Sequence, residues 1–394
     1  MKKHIEIKHL QDCCGCTACK NICPKQCISM QTDYLGFQYP YVNVSLCIEC
    51  GMCRQVCPFL NPKKSLSAKK SYAATNSVDE ERIKSSSGGV FINLSKRVIA
   101  EHGVVFGAVF DENWNVKHVA AQSLYEVSKM MGSKYVQSKM DNCYSQAKSF
   151  LNAGKLVLFS GTPCEIAGLK HYLKKDYDNL ICVEVICHGV PAPLSWYKNI
   201  RETKKSINRK DTANYRLDSV SFRDKRKGWR NFGLCYSFAG PDKADSKIEV
   251  FESFHQNRFM QAFLNNWSLR PSCYNCKAKN GHSHADLTIG DFWGIENIRT
   301  INDDDKGISC IICRTEKGQT IFNSTHGLEI TAVSYDSILR GNSSIENSVE
   351  NTPYATAMKT LIKFLGLGQT MAMMKIYHNI IRAINFVNRR SKQL

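Results

Sequence analysis

The feature that most constrains this sequence is a cysteine run that occurs twice within the first sixty residues. Both copies have the pattern Cys-x-x-Cys-x-x-Cys-x-x-x-Cys-Pro. They comprise Cys13, Cys16, Cys19, Cys23 and Pro24, and Cys47, Cys50, Cys53, Cys57 and Pro58. Segments this short and this rich in thiols have little apolar material for a core, so their fold must depend on what the cysteines bind.

The spacing within each run is typical of a loop wrapped around a cubic [4Fe–4S] cluster. Three thiolates of one run bind one cube, and the fourth cysteine reaches the other cube. The first cluster is therefore predicted on Cys13, Cys16, Cys19 and Cys57, and the second on Cys47, Cys50, Cys53 and Cys23. Zinc is the alternative for any single Cys-x-x-Cys, but two complete copies in register favour iron–sulfur clusters. Cys14 and Cys27 fall outside the spacing and are interpreted as packed thiols.

Composition supports a metal protein of a reducing compartment. The chain has 394 residues, 43% of them hydrophobic and 22% charged, which is typical of a soluble globular protein of two or three domains. No apolar run reaches membrane-spanning length, and the first ten residues lack the apolar region of a signal peptide. We therefore expect a cytoplasmic protein whose nineteen cysteines serve metal binding rather than disulfides.

The formal net charge of +18 favours an acidic partner or an anionic ligand. Two thiolate-bound clusters would lower that charge to about +14. Nucleic acid is the other partner that a basic chain suggests. It is not expected here, because no recognition module with interleaved aromatic residues is present.

Four segments are predicted along the chain. Residues 1–60 form a dicluster [4Fe–4S] ferredoxin-type domain with short strands at 27–31 and 36–42, and residues 61–70 form a polar linker. Residues 71–330 alternate between strand and helix, and residues 331–394 form a helical, basic tail. The predicted fold class is thus an α+β dicluster ferredoxin module, then an α/β domain with a mixed sheet, then a helical C-terminal tail. Predicted elements of the α/β domain are helices at 90–102 and 164–175 and strands at 104–110, 114–121, 156–159 and 180–186.

The tail contains one apolar stripe at helical spacing. The stripe comprises Met373, Tyr377, Ile380, Ile381, Ile384 and Val387. A basic helix with such a stripe is suited either to an anionic membrane surface or to packing on the protein, and packing is favoured over peripheral membrane contact.

Several motifs of the α/β domain lie at strand ends, where sheets of this class build their sites. Ser85–Gly89 (SSSGG) leads into a predicted helix and suits either an anion site or a simple helix cap. Gly161-Thr-Pro-Cys164 and Cys187-His-Gly189 each follow a predicted strand, and Cys273 and Cys276 come later. These four cysteines are sufficient for a third cluster, although Cys164 and Cys187 alone are more typical of buried thiols.

In order along the chain, these motifs resemble the coenzyme F420 hydrogenase/dehydrogenase beta-subunit family. The resemblance extends from about the linker to about Gly318. The motifs that carry it are Ser87-Gly88-Gly89, GSKYVQS at 132–138, GTPC at 161–164, CHG at 187–189, SFRDK at 221–225 and GDFWG at 290–294.

The resemblance implies a flavoprotein that carries FAD, with the flavin-binding domain at residues 71–330. It implies cofactor binding by Ser87, Gly88, Gly89, Ser133, Lys134, Tyr135 and Gln137. It also implies a third cluster on Cys164, Cys187, Cys273 and Cys276, beside the flavin. His188 is a weak catalytic candidate for proton transfer, and a structural histidine is the alternative.

The functional prediction is an iron–sulfur flavoprotein oxidoreductase. Such a protein passes electrons between a ferredoxin-like one-electron partner and a two-electron substrate at FAD, either coenzyme F420 or another reducible organic substrate. The alternative is an electron-transfer or accessory subunit without its own substrate, for example one serving surface-polysaccharide synthesis.

Overall fold

The structure is a computed structural model that describes residues 3–208, 215–240, 247–298 and 300–390, with side chains to residue 381. The N-terminal module contains two short helices, α1 (Ala18–Asn21) and α2 (Met52–Gln55). Between them, β1 (Ile28–Thr32) pairs antiparallel with β2 (Gln38–Val42). Asp33 closes the turn because its Oδ1 accepts from the backbone N–H groups of Leu35 and Phe37, each at 2.9 Å. The predicted hairpin and its turn are confirmed.

The second part of the chain is built on a nine-stranded mixed sheet. In spatial order its strands are β14, β3, β13, β12, β8, β7, β4, β5 and β6. The strands are β3 (Lys70–Asn76), β4 (Val104–Phe110), β5 (Val116–Ala121), β6 (Ser138–Lys139), β7 (Val157–Gly161), β8 (Leu180–Val185), β12 (Leu287–Asp291), β13 (Ser309–Cys313) and β14 (Leu328–Ala332). The central strands β12, β8, β7 and β4 run parallel, and β4 forms the predicted hairpin with β5.

Both faces of the sheet are covered by helices, and the central strands show this in their sequence. The side chains of Val104 and Phe106 belong to the apolar core on one face, whereas those of Val105 and Val109 belong to the core on the other. Because successive side chains alternate across a strand, a strand buried on both faces reads as a continuous apolar run.

Eight helices, α3 to α10, pack around the strands of the second part of the chain. They are α3 (Asp79–Lys84), α4 (Val90–Ala100), α5 (Leu124–Ser128), α6 (Cys143–Asn152), α7 (Pro163–Leu173), α8 (Pro193–Asn208), α9 (Arg258–Leu264) and α10 (Glu316–Asn323). Helices α6 and α7 share their face of the main sheet with apolar residues of the N-terminal module, among them Ala18 and Val56. The module is therefore packed on the domain along this face.

A second sheet was not predicted from the sequence. Strands β9 (Arg216–Asp224), β10 (Gly233–Ala239) and β11 (Lys247–Ser253) form an antiparallel sheet. Its buried face shares one core with α8, α9 and the hairpin of the N-terminal module. Trp196 of α8 lies in that core, with Phe222 at 4.8 Å and Phe259 at 5.4 Å between ring centroids.

The predicted linker at 61–70 is bound to the second domain. The N–H of Leu66 donates to the carbonyl oxygen of Gly281 at 3.2 Å, and that of Lys69 donates to Cys313 at 2.8 Å. Its last residue is also the first of β3. The segment therefore fixes the module on the domain, since its backbone groups are paired there.

The C-terminal region is helical, as predicted, with α11 (Tyr335–Gly341), α12 (Pro353–Phe364) and α13 (Leu367–Arg390). Strand β14 ends at Ala332, so the main sheet extends two residues past the predicted boundary at 330. Met371 and Met374 of α13 are buried, whereas Met373, Tyr377 and Ile380 of the predicted stripe are exposed. The packed face is thus offset from the stripe. Ile384 and Val387 lie outside the described side chains, and residues 391–394 outside the described chain.

Within the described part of the chain, no helix combines the length and the apolar character needed to cross a membrane.

Candidate functional site

The two cysteine loops have the same backbone conformation at equivalent positions. In the first loop Gly15 and Thr17 have φ of 76° and 62°. In the second loop Glu49 and Gly51, thirty-four positions later, have φ of 53° and 76°. Each loop thus has one glycine and one non-glycine residue in the left-handed region of backbone conformation. For a non-glycine residue this conformation costs about 1 kcal/mol of conformational free energy. The two loops therefore share one backbone path around their cysteines.

The first predicted ligand group is brought together in the structure. Burial raises the pKa of the Cys19 thiol, and the neighbouring thiols of Cys13 and Cys57 raise it further. Burial also raises the pKa of Cys57, as does Cys13. Cys16 contacts Cys14, which lowers its pKa, but burial, Cys57 and Cys19 raise it overall. The raised pKa values of Cys16, Cys19 and Cys57 mark an environment in which a cationic cluster stabilises thiolates.

The second predicted group lines a small cavity of about 20 Å³. The cavity is lined by Cys23, Cys47, Cys50 and Cys53, and also by Cys27. The Sγ of Cys27 lies 3.4 Å from the Sγ of Cys23. Burial, and to a smaller extent the contact with Cys23, raises the pKa of Cys27 to about 12. Cys27 was interpreted from the sequence as a packed thiol, and the structure places it against the cluster site.

Backbone amides point at several of these sulfurs. The N–H of Ile5 donates to Cys53 Sγ at 3.1 Å, and that of Glu49 donates to Cys47 Sγ at 3.4 Å. Such bonds stabilise the more negative state of a cluster and so raise its reduction potential.

The four cysteines of the predicted third site also converge. Cys164 is the second residue of α7, Cys187 follows β8, and Cys273 and Cys276 lie in and after a short turn at Pro271–Asn275. Burial raises the pKa of Cys273 to about 12, with Cys164 and Cys276 as neighbouring thiols. For Cys187, burial acts first and Cys273, Cys164 and Cys276 raise its pKa further. In the described chain, no three His, Cys, Asp or Glu side chains close around the position of a single metal ion.

Cys14 connects the first group to the third. Its thiol is buried in contact with both Cys16 and Cys164. The approach is close enough that a Cβ on Gly168 of α7 would lie 2.9 Å from the Cβ of Cys16. Because α7 carries Cys164 at its first turn, the two cysteine sets occupy adjoining positions across the domain boundary.

A cavity of about 630 Å³ opens at the carboxyl ends of the central strands. Its lining includes Gly161 at the end of β7, Cys187 and His188 after β8, and Asp291 at the end of β12. Parallel strands place their carboxyl ends on one edge of a sheet, so these motifs meet although they are far apart in sequence. Cys187 belongs both to this cavity and to the third cysteine set.

Two of the predicted cofactor-binding segments meet at one end of the cavity. The N–H of Ser133 donates to Ser86 Oγ at 2.6 Å, and its hydroxyl contacts the same oxygen at 2.8 Å. Gly89 has φ of 87° and precedes α4, whose first turn receives no side-chain cap. The N–H groups of that turn remain available, so the site suits an anion such as a phosphate.

Other predicted residues of these segments have structural partners. Ser87 Oγ donates to the carbonyl oxygen of Ile308 at 2.7 Å, and the N–H of Gly88 donates to Ser309 Oγ at 2.9 Å. These bonds hold the glycine turn against β13. Gly88 is absent from the cavity lining, whereas Ser87 and Gly89 contribute to it.

Lys134 and Tyr135 line the cavity, but the Lys134 ammonium is already engaged. Its Nζ donates to the carbonyl oxygens of Met130, Met131 and Gly132, each at 3.1 Å. Burial lowers the pKa of Lys134 to about 7. Lys134 therefore shapes its own loop, and Tyr135 supplies the aromatic wall.

Gln137 is the predicted cofactor residue that the structure places elsewhere. Its Nε2 donates to the carbonyl oxygen of Cys14 at 3.0 Å, and its Oε1 accepts from Arg270 Nη1 at 2.9 Å. It does not line the cavity. Its amide joins the first cysteine loop to the domain, because its nitrogen bonds to that loop and its oxygen to Arg270. The cofactor role of Gln137 stays a prediction.

Among the described residues, two histidines line the cavity. His188 has no hydrogen-bond partner at Nε2, and burial lowers its pKa. His118 is engaged at both nitrogens, with Ser138 Oγ at 2.6 Å and the carbonyl oxygen of Ser160 at 2.9 Å. Of the two, His188 is therefore the one with a buried ring nitrogen that makes no hydrogen bond, and its catalytic role stays a prediction.

The comparisons with known proteins agree with this architecture. Residues 12–61 match the family model described as 4Fe-4S dicluster domain. Residues 154–335 match the family model for the C terminus of the beta subunit of coenzyme F420 hydrogenase/dehydrogenase. The resemblance predicted from the motifs is thus confirmed. Residues 12–61 are thus similar to a 4Fe–4S dicluster domain, and residues 154–335 are similar to the C terminus of this beta subunit.

Among solved structures, the chain is similar to one from the F420-reducing [NiFe] hydrogenase complex of Methanosarcina barkeri. The match has 14% sequence identity and a TM-score of 0.42, and it covers 74% of this chain and 98% of that one. No curated protein matches the chain.

Proposed function

We propose that the chain is an iron–sulfur flavoprotein oxidoreductase that joins a one-electron partner to a two-electron substrate. The observation that carries the proposal is the continuity of its sites. Cys14 contacts both Cys16 of the first cysteine group and Cys164 of the third set. Cys187 of the third set lines the large cavity. Redox centres placed at these positions form one path from the N-terminal module to the cavity.

The residues at the cavity fit a dinucleotide flavin. Its volume of about 630 Å³ lies within the 300–1,000 Å³ that is usual for a small-molecule site. The uncapped first turn of α4 would bind the phosphates, and Tyr135 and Phe263 would provide apolar walls that exclude water. Bound FAD supplies both hydride transfer and single-electron transfer, which is what the exchange requires.

The cysteine sets would then hold the clusters. Two [4Fe–4S] clusters belong to the N-terminal module, and a third belongs to Cys164, Cys187, Cys273 and Cys276. The thiolates are stabilised by the clusters they bind, and the amides of Ile5, Glu49 and Val190 donate to three of the sulfurs. His188, unpartnered at Nε2 in the cavity, would hold or move a proton at that atom.

The test is anaerobic purification, reconstitution with iron and sulfide, and titration with FAD. The proposal expects stoichiometric FAD binding and flavin reduction by a reduced ferredoxin. Coenzyme F420 is the first substrate to assay, because the description of the matched family names it. Clusters that reduce reversibly in a protein that binds no flavin would contradict the proposal and favour an accessory subunit.

A further inference from the structure

The basic segment 223–230 carries five cations, and the structure gives them different roles. Lys225 Nζ donates to the carbonyl oxygens of Arg82, Ser87 and Lys306 at 2.7–2.9 Å. It therefore holds the glycine turn in place.

Two further cations of the segment are paired with carboxylates. Arg226 contacts Asp224 at 2.8 Å and Glu249 at 3.1 Å, and Arg230 contacts Asp303. Lys227 is exposed and lies over the ring of Phe251.

Arg223 differs from the others because it is buried and faces the cavity. Only 5% of it is exposed. Its guanidinium carbon lies 3.7 Å from the ring centroid of Phe232 and 5.3 Å from that of Trp293. Nη2 lies 3.1 Å from Asp291 Oδ2, and Tyr135 is also a neighbour. The aromatic rings cover the faces of the guanidinium, and its Nε–Nη2 edge is buried in a residue that lines the cavity.

That edge has unused donors. Neither Nε nor Nη2 of Arg223 makes a hydrogen bond, since the contact with Asp291 is close but poorly aligned. Leaving a buried donor unpaired costs about 1–3 kcal/mol, so such an edge implies an acceptor that completes the site. Asp291 is itself engaged, because its Oδ1 accepts from Trp229 Nε1 at 2.9 Å.

The other charged groups of the cavity are committed elsewhere. Lys134 donates to three carbonyl oxygens of its own loop. Arg230 is paired with Asp303, and Glu165 accepts from the N–H of Thr162 at 2.8 Å. Among the described residues that line the cavity, Arg223 is therefore the charged side chain with buried donors that make no hydrogen bond, and its charge is balanced by Asp291 at 3.1 Å.

We propose that Arg223 binds an oxyanion, a carboxylate or a phosphate, through two parallel bonds from Nε and Nη2. A guanidinium edge matches two coplanar oxygens, and stacking on aromatic rings holds it in that orientation. The inference rests on the proposed function, because the anion belongs to either of two redox ligands. It is the diphosphate of a dinucleotide cofactor or the acidic group of the substrate. In both cases the segment SFRDK contributes one recognition residue, Arg223, and one structural residue, Lys225.

The test compares Arg223→Gln with Arg226→Gln in the full chain, reconstituted anaerobically. Arg226 is a matched control because it lies in the same segment but outside the cavity lining. FAD, FMN and riboflavin are titrated by fluorescence quenching, and binding of inorganic phosphate is measured by calorimetry on flavin-loaded and flavin-free protein.

If the anion is the phosphate of the cofactor, R223Q should weaken FAD and FMN binding by about 10–100-fold and leave riboflavin binding unchanged. A substrate anion predicts unchanged flavin binding and a similar loss of phosphate binding by the flavin-loaded protein. Either result supports the proposal. The proposal is overturned if R223Q, R226Q and the wild type bind every probe with the same affinity.

Two further readouts keep the test decisive. If R223Q does not fold, Arg223→Lys replaces it. The loss of affinity is then expected to be smaller, because lysine keeps the positive charge but lacks the two parallel donors of the guanidinium. If the wild type binds none of the three flavins, the proposed function has failed. Phosphate binding by flavin-free protein then decides the role of Arg223 alone.

Discussion

Arg270 Nε donates to the carbonyl oxygen of Cys13 at 2.8 Å, from the second domain to the first cysteine loop. The guanidinium is fully buried, and its Nη2 donates to the carbonyl oxygen of Gln38 at 2.9 Å. It also stacks on Tyr39, at 4.3 Å from the ring centroid. Three residues further on, Cys273 belongs to the third cysteine set. A buried positive charge thus lies between two predicted anionic clusters and joins the two domains.

Replacing Arg270 with glutamine is expected to weaken the first cluster site. The carbonyl groups of Cys13 and Gln38 lose their donor, and each unpaired group costs about 1–3 kcal/mol. Loss of the charge also disfavours added electrons, so the reduction potentials of the neighbouring clusters become more negative. Iron release to a chelator and potentiometric titration measure the two effects. Arg258→Gln, at an exposed arginine paired with Glu202, is the control. Equal iron release and equal potentials in both variants would contradict this role.

The double variant Cys273→Ser, Cys276→Ser is expected to lose one cluster. Iron falls from about twelve to about eight atoms per chain, because the N-terminal module keeps two clusters of four. Cys310 and Cys313 provide a matched control with the same Cys-x-x-Cys spacing. They lie in β13, where their side chains belong to different apolar cores, so C310A/C313A should keep all the iron. If the first double variant keeps about twelve atoms, the third site is refuted.

Cys23 and Cys27 are expected to behave differently although their sulfurs are 3.4 Å apart. Cys23 occupies the fourth position of the repeated spacing, so C23S should lose about four irons. Cys27 lies outside the spacing, and C27S should keep them. Quantification of iron and acid-labile sulfide per chain tests both variants. Loss of four irons from C27S with retention in C23S would exchange the two assignments.

Local patterns predicted the parts of the fold that depend on local physics. The strand at 104–110 and the hairpin at β1–β2 have the predicted periods, and Asp33 forms the turn of that hairpin through its own side chain. The cysteine repeat predicted the convergence of Cys13, Cys16, Cys19 and Cys57, because the ligand spacing is encoded in one loop and its copy.

The remaining parts depend on contacts between distant segments. Strand β9 is largely exposed at its start, so it lacks the apolar signal of a core strand. Arg270 belongs to no motif of the sequence, and Gln137 is predicted there as a cofactor residue. Both side chains bond to the first cysteine loop, which is distant in sequence. Lys225 and Arg223 stand two residues apart in one basic run, yet one holds a turn and the other faces the cavity. Their paths differ because β9 ends between them, at Asp224.

Lys225 allows a prediction about pH. Burial lowers its pKa from 10.5 to about 7. Below pH 7 the amine binds a proton in the folded and the unfolded chain, so pH has no effect through this group. Between 7 and 10.5 the unfolded chain keeps the proton and the folded chain releases it, so stability rises with pH. Relative to Lys225→Met, the wild type should gain on the order of 1–2 kcal/mol of stability between pH 6 and pH 9.

The measurement is the midpoint of thermal unfolding of both proteins, recorded anaerobically across that pH range. The difference between wild type and variant carries the effect, because all other titrating groups are shared. Lys227→Met, at an exposed lysine of the same segment, should show no such pH dependence. Parallel curves for wild type and K225M would mean that the carbonyl oxygens of Arg82, Ser87 and Lys306 keep the ammonium charged. Lys225 would then stabilise the glycine turn equally at pH 6 and pH 9.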